Sequence, residues 1–111
     1  MEQTDNEMEK IVPDTSVIIE GILSEKLRQN YIQPKEIIIH EAVIAELEHQ
    51  AKLGKAIGFL GLDEIKRIKN LSTEKEFMLS FKGSRPKAAE IRHASLGEID
   101  SLIRQLAYDE D

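Results

Sequence analysis

The chain has 111 residues, with 15 basic and 21 acidic side chains and a formal net charge of −6. That length suits one small domain able to bury its own core, and the acidic balance argues against a general nucleic-acid coat protein, which carries a basic field. The absence of cysteine excludes disulfides and cysteine-based zinc sites, no apolar run reaches the ~18 residues of a membrane span, and the acidic, polar start is unlike a signal peptide. Together these features fit a cytoplasmic chain with no membrane segment.

Residues 1–9 have little apolar content and are expected to form a disordered N-terminal tail ahead of a domain over 10–111. Ile11-Val12 reads as a short strand; Pro13, which donates no ladder bond, is tolerated where that strand stops. Thr15-Ser16 opens a helix, with Asp14 or Thr15 as N-cap. Val17, Ile18, Ile22 and Leu23 recur at helical spacing, with Gly21 a candidate break between two pieces. Gln33-Pro34-Lys35 is a turn, and Glu36-Ile37-Ile38-Ile39-His40 is the continuous β-branched run of a strand buried on both faces. Glu41 to Leu53 reads as a helix with Val43, Ile44, Leu47 and Ala51 inward, and Gly54 is a natural residue just beyond its end.

Ile57 to Ile68 continues helically, with Phe59 or Leu60, Leu62, Ile65 and Ile68 toward the core and Gly58 and Gly61 spaced for close helix approach. Phe77 to Phe81 is a third strand, Gly83-Ser84-Arg85-Pro86 a turn, and Ala88 to Ala94 either helix or extended. Ile99, Leu102, Ile103, Leu106 and Ala107 mark an amphipathic helix. This order predicts an α/β fold: a parallel sheet with right-handed crossovers and helices on both faces, a three-layer α/β/α sandwich. The last helix leads to no further strand, so the last sheet strand is expected to be missing from this chain.

Asp14, Glu46 and Asp100 each fall just after a strand or near the start of a helix. In an open α/β sheet that edge is where ligands bind, and scattered carboxylates there suit a hard cation. Three acids from three elements can surround an octahedral ion, as no single helix can. Such a centre serves phosphodiester hydrolysis, which needs an in-line water and charge neutralisation. Each acid also has an ordinary reading. Asp14 can be an N-cap, and Glu46 a solvated flank of its helix. Asp100 can complement a helix N-terminus or pair with Arg104, with Glu98 as its rival for the metal. His40, His49 and His93 lack zinc-like partner spacing; His40 reads as a plain strand-end residue, the alternative being a supporting place behind the acids. The cluster Lys82, Arg85, Lys87 and Arg92 reads as a solvated face, with phosphate tracking as its alternative. Aromatics are few, and no Gly-x-x-x-x-Gly-Lys loop is present.

Val12-Pro13-Asp14-Thr15-Ser16-Val17-Ile18-Ile19-Glu20-Gly21 resembles the opening of PIN domains, which are metal-dependent, ribonuclease-like α/β/α domains. Ile44-Ala45-Glu46-Leu47-Glu48 resembles their second acidic motif, and the stretch from Gly97 to Ala107 around Asp100 resembles their third. The wording is most similar to the N-terminal PIN domain of archaeal proteins that continue into a AAA-type ATPase and a KH module. The resemblance implies a nuclease acting on RNA or single-stranded DNA with Mg²⁺ or Mn²⁺. Asp14, Glu46 and Asp100 would be its catalytic, metal-coordinating acids, and Thr15 or Ser16 a hydroxyl that helps hold metal or phosphate. ATP would enter only through a domain absent from this chain. The family's pattern runs on to a further strand and a fourth acid, so the resemblance implies an incomplete PIN-like domain.

The competing reading is a non-catalytic domain that oligomerises and carries an attached ATPase, using the exposed sheet edge left by the missing strand; a homo-oligomer is expected. A receiver-type α/β domain is set aside, because it wants an early acidic pair and an Asp ending the third strand, where this chain has Ser80-Phe81-Lys82.

Overall fold

Three consecutive isoleucines, Ile37, Ile38 and Ile39, are fully excluded from solvent at the centre of the molecule. Each contributes about 2 kcal/mol of apolar burial. The structure is a computed structural model and describes residues 10–84. Its elements run β1 (Lys10–Ile11), α1 (Thr15–Glu20), α2 (Ile22–Arg28), β2 (Glu36–His40), α3 (Glu41–Lys52), α4 (Ala56–Glu74) and β3 (Met78–Lys82). The strands form one parallel sheet in the order β1-β2-β3. In register, Ile37 stands between Ile11 and Leu79, and His40 lies beside Lys82. The central strand is buried on both faces, which is why it reads as an unbroken apolar run.

Sequential parallel strands with right-handed crossovers carry both connections over the same face. The helices agree, since α4 packs on α1, α2 and α3. The four described helices therefore form one layer of the expected α/β fold. Their core joins Ile18, Leu23 and Leu27 to Ile37, Ile39, Val43, Leu47, Ile68, Leu71 and Phe77. Ile38 points to the other face and is equally buried. The amphipathic helix expected around residues 99–107, the N-terminal tail and the 88–94 segment lie outside the described residues.

Several expectations shift in detail. The first and third strands each fall one residue from their expected places, at Lys10–Ile11 and Met78–Lys82. Gly21 does divide the first helical stretch: at φ 74° it closes α1 and opens α2, a left-handed conformation natural to glycine. Ile22, one of the apolar residues at helical spacing, is exposed. Gly54 takes φ 75° just beyond α3, as a helix end favours.

The larger correction concerns α4, which extends to Glu74. Phe59 and Leu60 are about half exposed instead of facing the core. The most buried positions are Gly58, Gly61, Glu64, Ile68 and Leu71, and Leu62 and Ile65 pack against the core as expected. The reason is the proximity of α3. A Cβ on Gly58 would sit 2.2 Å from the Ala51 backbone nitrogen, and one on Gly61 would sit 2.5 Å from Leu47 Cδ2. Large side chains cannot occupy that seam, so they turn outward.

Candidate metal centre

Parallel strands share one carboxyl edge, and two of the three predicted acids sit there. Asp14 follows β1 and caps α1. Its Oδ1 accepts the Val17 backbone N–H and the Ser16 hydroxyl, each at 3.0 Å. The ordinary cap reading of Asp14 therefore holds, but it uses one oxygen. Oδ2 accepts no hydrogen bond among the described residues, so capping and cation binding are compatible. Capping also fixes the carboxylate on a rigid helix start.

Glu46 lies in the second turn of α3, which leaves the same edge directly after β2. Its side chain is buried, so it is not a solvated flank. Gln50, one turn on, donates its amide to Oε2 at 2.5 Å. A carboxylate held in a buried position by one neutral donor has capacity left to accept more.

Thr15 and Ser16 separate in role. The Ser16 hydroxyl is exposed and spent on Asp14. Thr15 is buried, and its Oγ1 has no hydrogen-bond partner among the described residues. A buried hydroxyl without a partner costs free energy that a ligand oxygen or cation would recover. It is the donor of this edge that most needs an explanation outside the described chain.

Hard oxygen donors are what Mg²⁺ and Mn²⁺ take, so the residues present fit such an ion. The described residues do not by themselves complete a site: among them no three His, Asp or Glu side chains cluster for a metal. Asp100, expected to be the third carboxylate, lies outside the described residues, as do Arg85, Lys87 and Arg92 of the basic cluster.

Two further polar groups stand apart from the predicted acids: Glu64, which the sequence does not single out, and His40, whose alternative reading is a supporting place behind the acids. Glu64 is completely buried and reaches from α4 to α2. Its oxygens accept the Ser24 backbone N–H at 2.8 Å and the Ser24 hydroxyl at 2.7 Å, and Arg67 pairs with it at 3.1 Å. Glu64 thereby supplies the cap that Gly21 cannot give to α2. Its signal was a carboxylate falling on the same helical stripe as Gly61, Ile68 and Leu71. His40 closes β2 and caps α3, with Nδ1 accepting the Ala42 N–H at 2.9 Å. Burial pushes its imidazole below the ordinary value of 6.5, opposed by the charge of Glu41.

A cavity of about 220 Å³ is lined by Leu27, Ile32, Pro34, Lys75 and Phe77. Pro34 and Phe77 precede β2 and β3, so it opens at the amino edge, away from the acids. Among the described residues no helix is long and apolar enough to cross a membrane.

The chain is similar to known proteins over most of its length. The family pattern described as PIN domain matches residues 11–111. An uncharacterised KH and PIN-domain containing protein of Methanocaldococcus jannaschii is 37% identical over 100 residues, covering 90% of this chain and 16% of that protein. The Holliday junction branch migration ATPase PINA of Sulfolobus acidocaldarius is 34% identical over 62 residues, covering 56% of this chain and 12% of that protein. The chain thus spans less than a fifth of the length of either relative. A solved domain of a functionally unknown protein from Methanocaldococcus jannaschii superposes with a TM-score of 0.85 at 36% identity, covering 92% of this chain and 73% of that one. With its parallel sheet, its acids on the carboxyl edge and a family match over nearly its whole length, the chain belongs to the PIN domain family, whose fold is generally a nuclease fold.

Proposed function

We propose that this chain is the PIN domain of a Mg²⁺- or Mn²⁺-dependent endonuclease acting on RNA or single-stranded DNA, within a larger ATPase-linked protein. The observation that carries the reading is that Asp14 and Glu46 both follow strands at the carboxyl edge of the sheet, with Thr15, next to Asp14, holding a buried hydroxyl that has no partner among the described residues. In this reading Asp14, Glu46 and Asp100 hold the cation. Thr15 offers its hydroxyl to the cation or to a phosphate oxygen, and Ser16 steadies Asp14. A bound divalent ion supplies charge neutralisation and an activated water for phosphodiester hydrolysis. The chain's own contribution is rigid placement: α1 and α3 are each capped at the sheet edge, so their carboxylates are held before the ion arrives. Mn²⁺-dependent cleavage of single-stranded RNA and DNA should be lost in Asp14→Asn while the fold is kept. Undiminished cleavage by that variant would overturn the reading.

A second reading is favoured by the relative named as a branch migration ATPase. There the domain is a non-catalytic assembly module for an attached ATPase, working as a homo-oligomer. Light scattering across concentration tests it, and a strict monomer at every concentration contradicts it.

A further inference from the structure

We propose that His40 is a positioning residue for the acidic edge: its neutral imidazole, seated on Gly83, caps α3 and fixes the helix that carries Glu46, and protonation releases that cap. The inference rests on the cation-site reading of Glu46.

The His40 side chain joins three elements. It ends β2, its Nδ1 accepts the Ala42 N–H in the first turn of α3, and its ring lies against Gly83 beyond β3. A Cβ on Gly83 would come within 2.6 Å of Cε1 and Nε2, so only glycine lets the ring sit there. Histidine is an uncommon cap, where Asn, Asp, Ser and Thr are preferred. Unlike them, it changes from acceptor to donor when it takes a proton. An accepting Nδ1 requires the proton on Nε2. A protonated ring would instead turn an N–H toward the Ala42 N–H and set a positive charge at the positive end of α3.

Among the described residues, Glu41 on α3 acts on the ring by its charge, and Lys82 on β3 is the register partner of His40. Burial outweighs Glu41 and holds the imidazole below 6.5. A group whose folded value is depressed binds more protons unfolded. The stability that the neutral ring contributes is therefore complete above 6.5 and is lost as pH falls toward the folded value. Glu46 stands on the same helix, one turn beyond the capped amide, so loosening that first turn disturbs its carboxylate.

The test is Mn²⁺ calorimetry on the full chain from about pH 7.5 to about pH 5, the range in which histidine changes charge, alongside amide NMR of Ala42. Three proteins are compared: wild type, His40→Asn and His40→Ala. Asn keeps a side-chain acceptor at the cap but does not titrate. At neutral pH, Asn should match wild type within about twofold, while Ala should bind about fivefold more weakly. On acidification wild type should lose about fivefold more affinity than Asn, and the Ala42 amide shift should move with His40 protonation. Equal pH profiles for wild type and Asn, or undiminished binding by Ala, would overturn the proposal. Absence of Mn²⁺ binding in wild type at neutral pH would instead contradict the cation site. The cap itself is then judged by NMR, and an Ala42 amide that ignores His40 titration refutes it.

Discussion

Asp14 caps α1 and, in the proposed reading, also binds the cation, and a single substitution can separate the two roles. Asn keeps the side-chain oxygen that caps α1 but removes the charge a cation needs. Asp14→Asn should therefore lose Mn²⁺ binding while unfolding at nearly the same urea concentration as wild type, whereas Asp14→Ala should lose binding and about 1 kcal/mol of stability. Urea unfolding of both variants checks this, and equal destabilisation by Asn and Ala would contradict the division. Glu64 makes the opposite case. It is a buried carboxylate with a structural task, accepting two hydrogen bonds from Ser24 and one from Arg67. Removing it strands two buried donors, so Glu64→Ala should cost about 3 kcal/mol in urea unfolding, with Mn²⁺ affinity of the folded fraction unchanged. A loss below about 1 kcal/mol would show that Ser24 finds other partners.

At the scale of elements, the seam between α3 and α4 sets the shape of the helical layer. Gly58 faces backbone atoms of Ala51 and Leu47, whereas Gly61 faces the Leu47 side chain. Backbone cannot rotate away, so Gly58→Ala should destabilise by about 1–3 kcal/mol despite the gain in helix propensity. Gly61→Ala should cost less, since Leu47 can shift its rotamer and alanine recovers about 1 kcal/mol. Thermal unfolding of the two variants gives the order directly, and a reversed order would mean that α4 slides to relieve the contact. The same seam explains what the sequence could and could not reveal. The Ile37–Ile39 run and the Val43–Leu47 stripe announced β2 and α3 because burial there is simple and periodic. The core face of α4 was misread at Phe59 and Leu60 because its inward positions are glycines and a carboxylate, which apolar periodicity does not register. The positions of Asp14 and Glu46 at the sheet edge were legible through their motif contexts. The donated amide of Gln50, the buried hydroxyl of Thr15 and the cap by His40 depend on contacts that spacing alone does not define.

For the whole molecule, the carboxyl edge of the sheet collects acidic groups in a chain that is already acidic, with a net charge of −6. A divalent ion bound at that edge would offset part of this negative charge. A ligand that binds the folded state alone stabilises it by mass action, by about 2.7 kcal/mol at a hundredfold excess over Kd. Mn²⁺ should therefore raise the melting temperature of this chain reversibly, with the shift removed by chelator and absent in Asp14→Asn. The most direct measurement is a calorimetric titration of the chain and of Asp14→Asn with Mn²⁺ at neutral pH. Saturable binding by the chain that disappears in the variant is the predicted result. No binding by either protein, or equal binding by both, would contradict a cation centre built on Asp14.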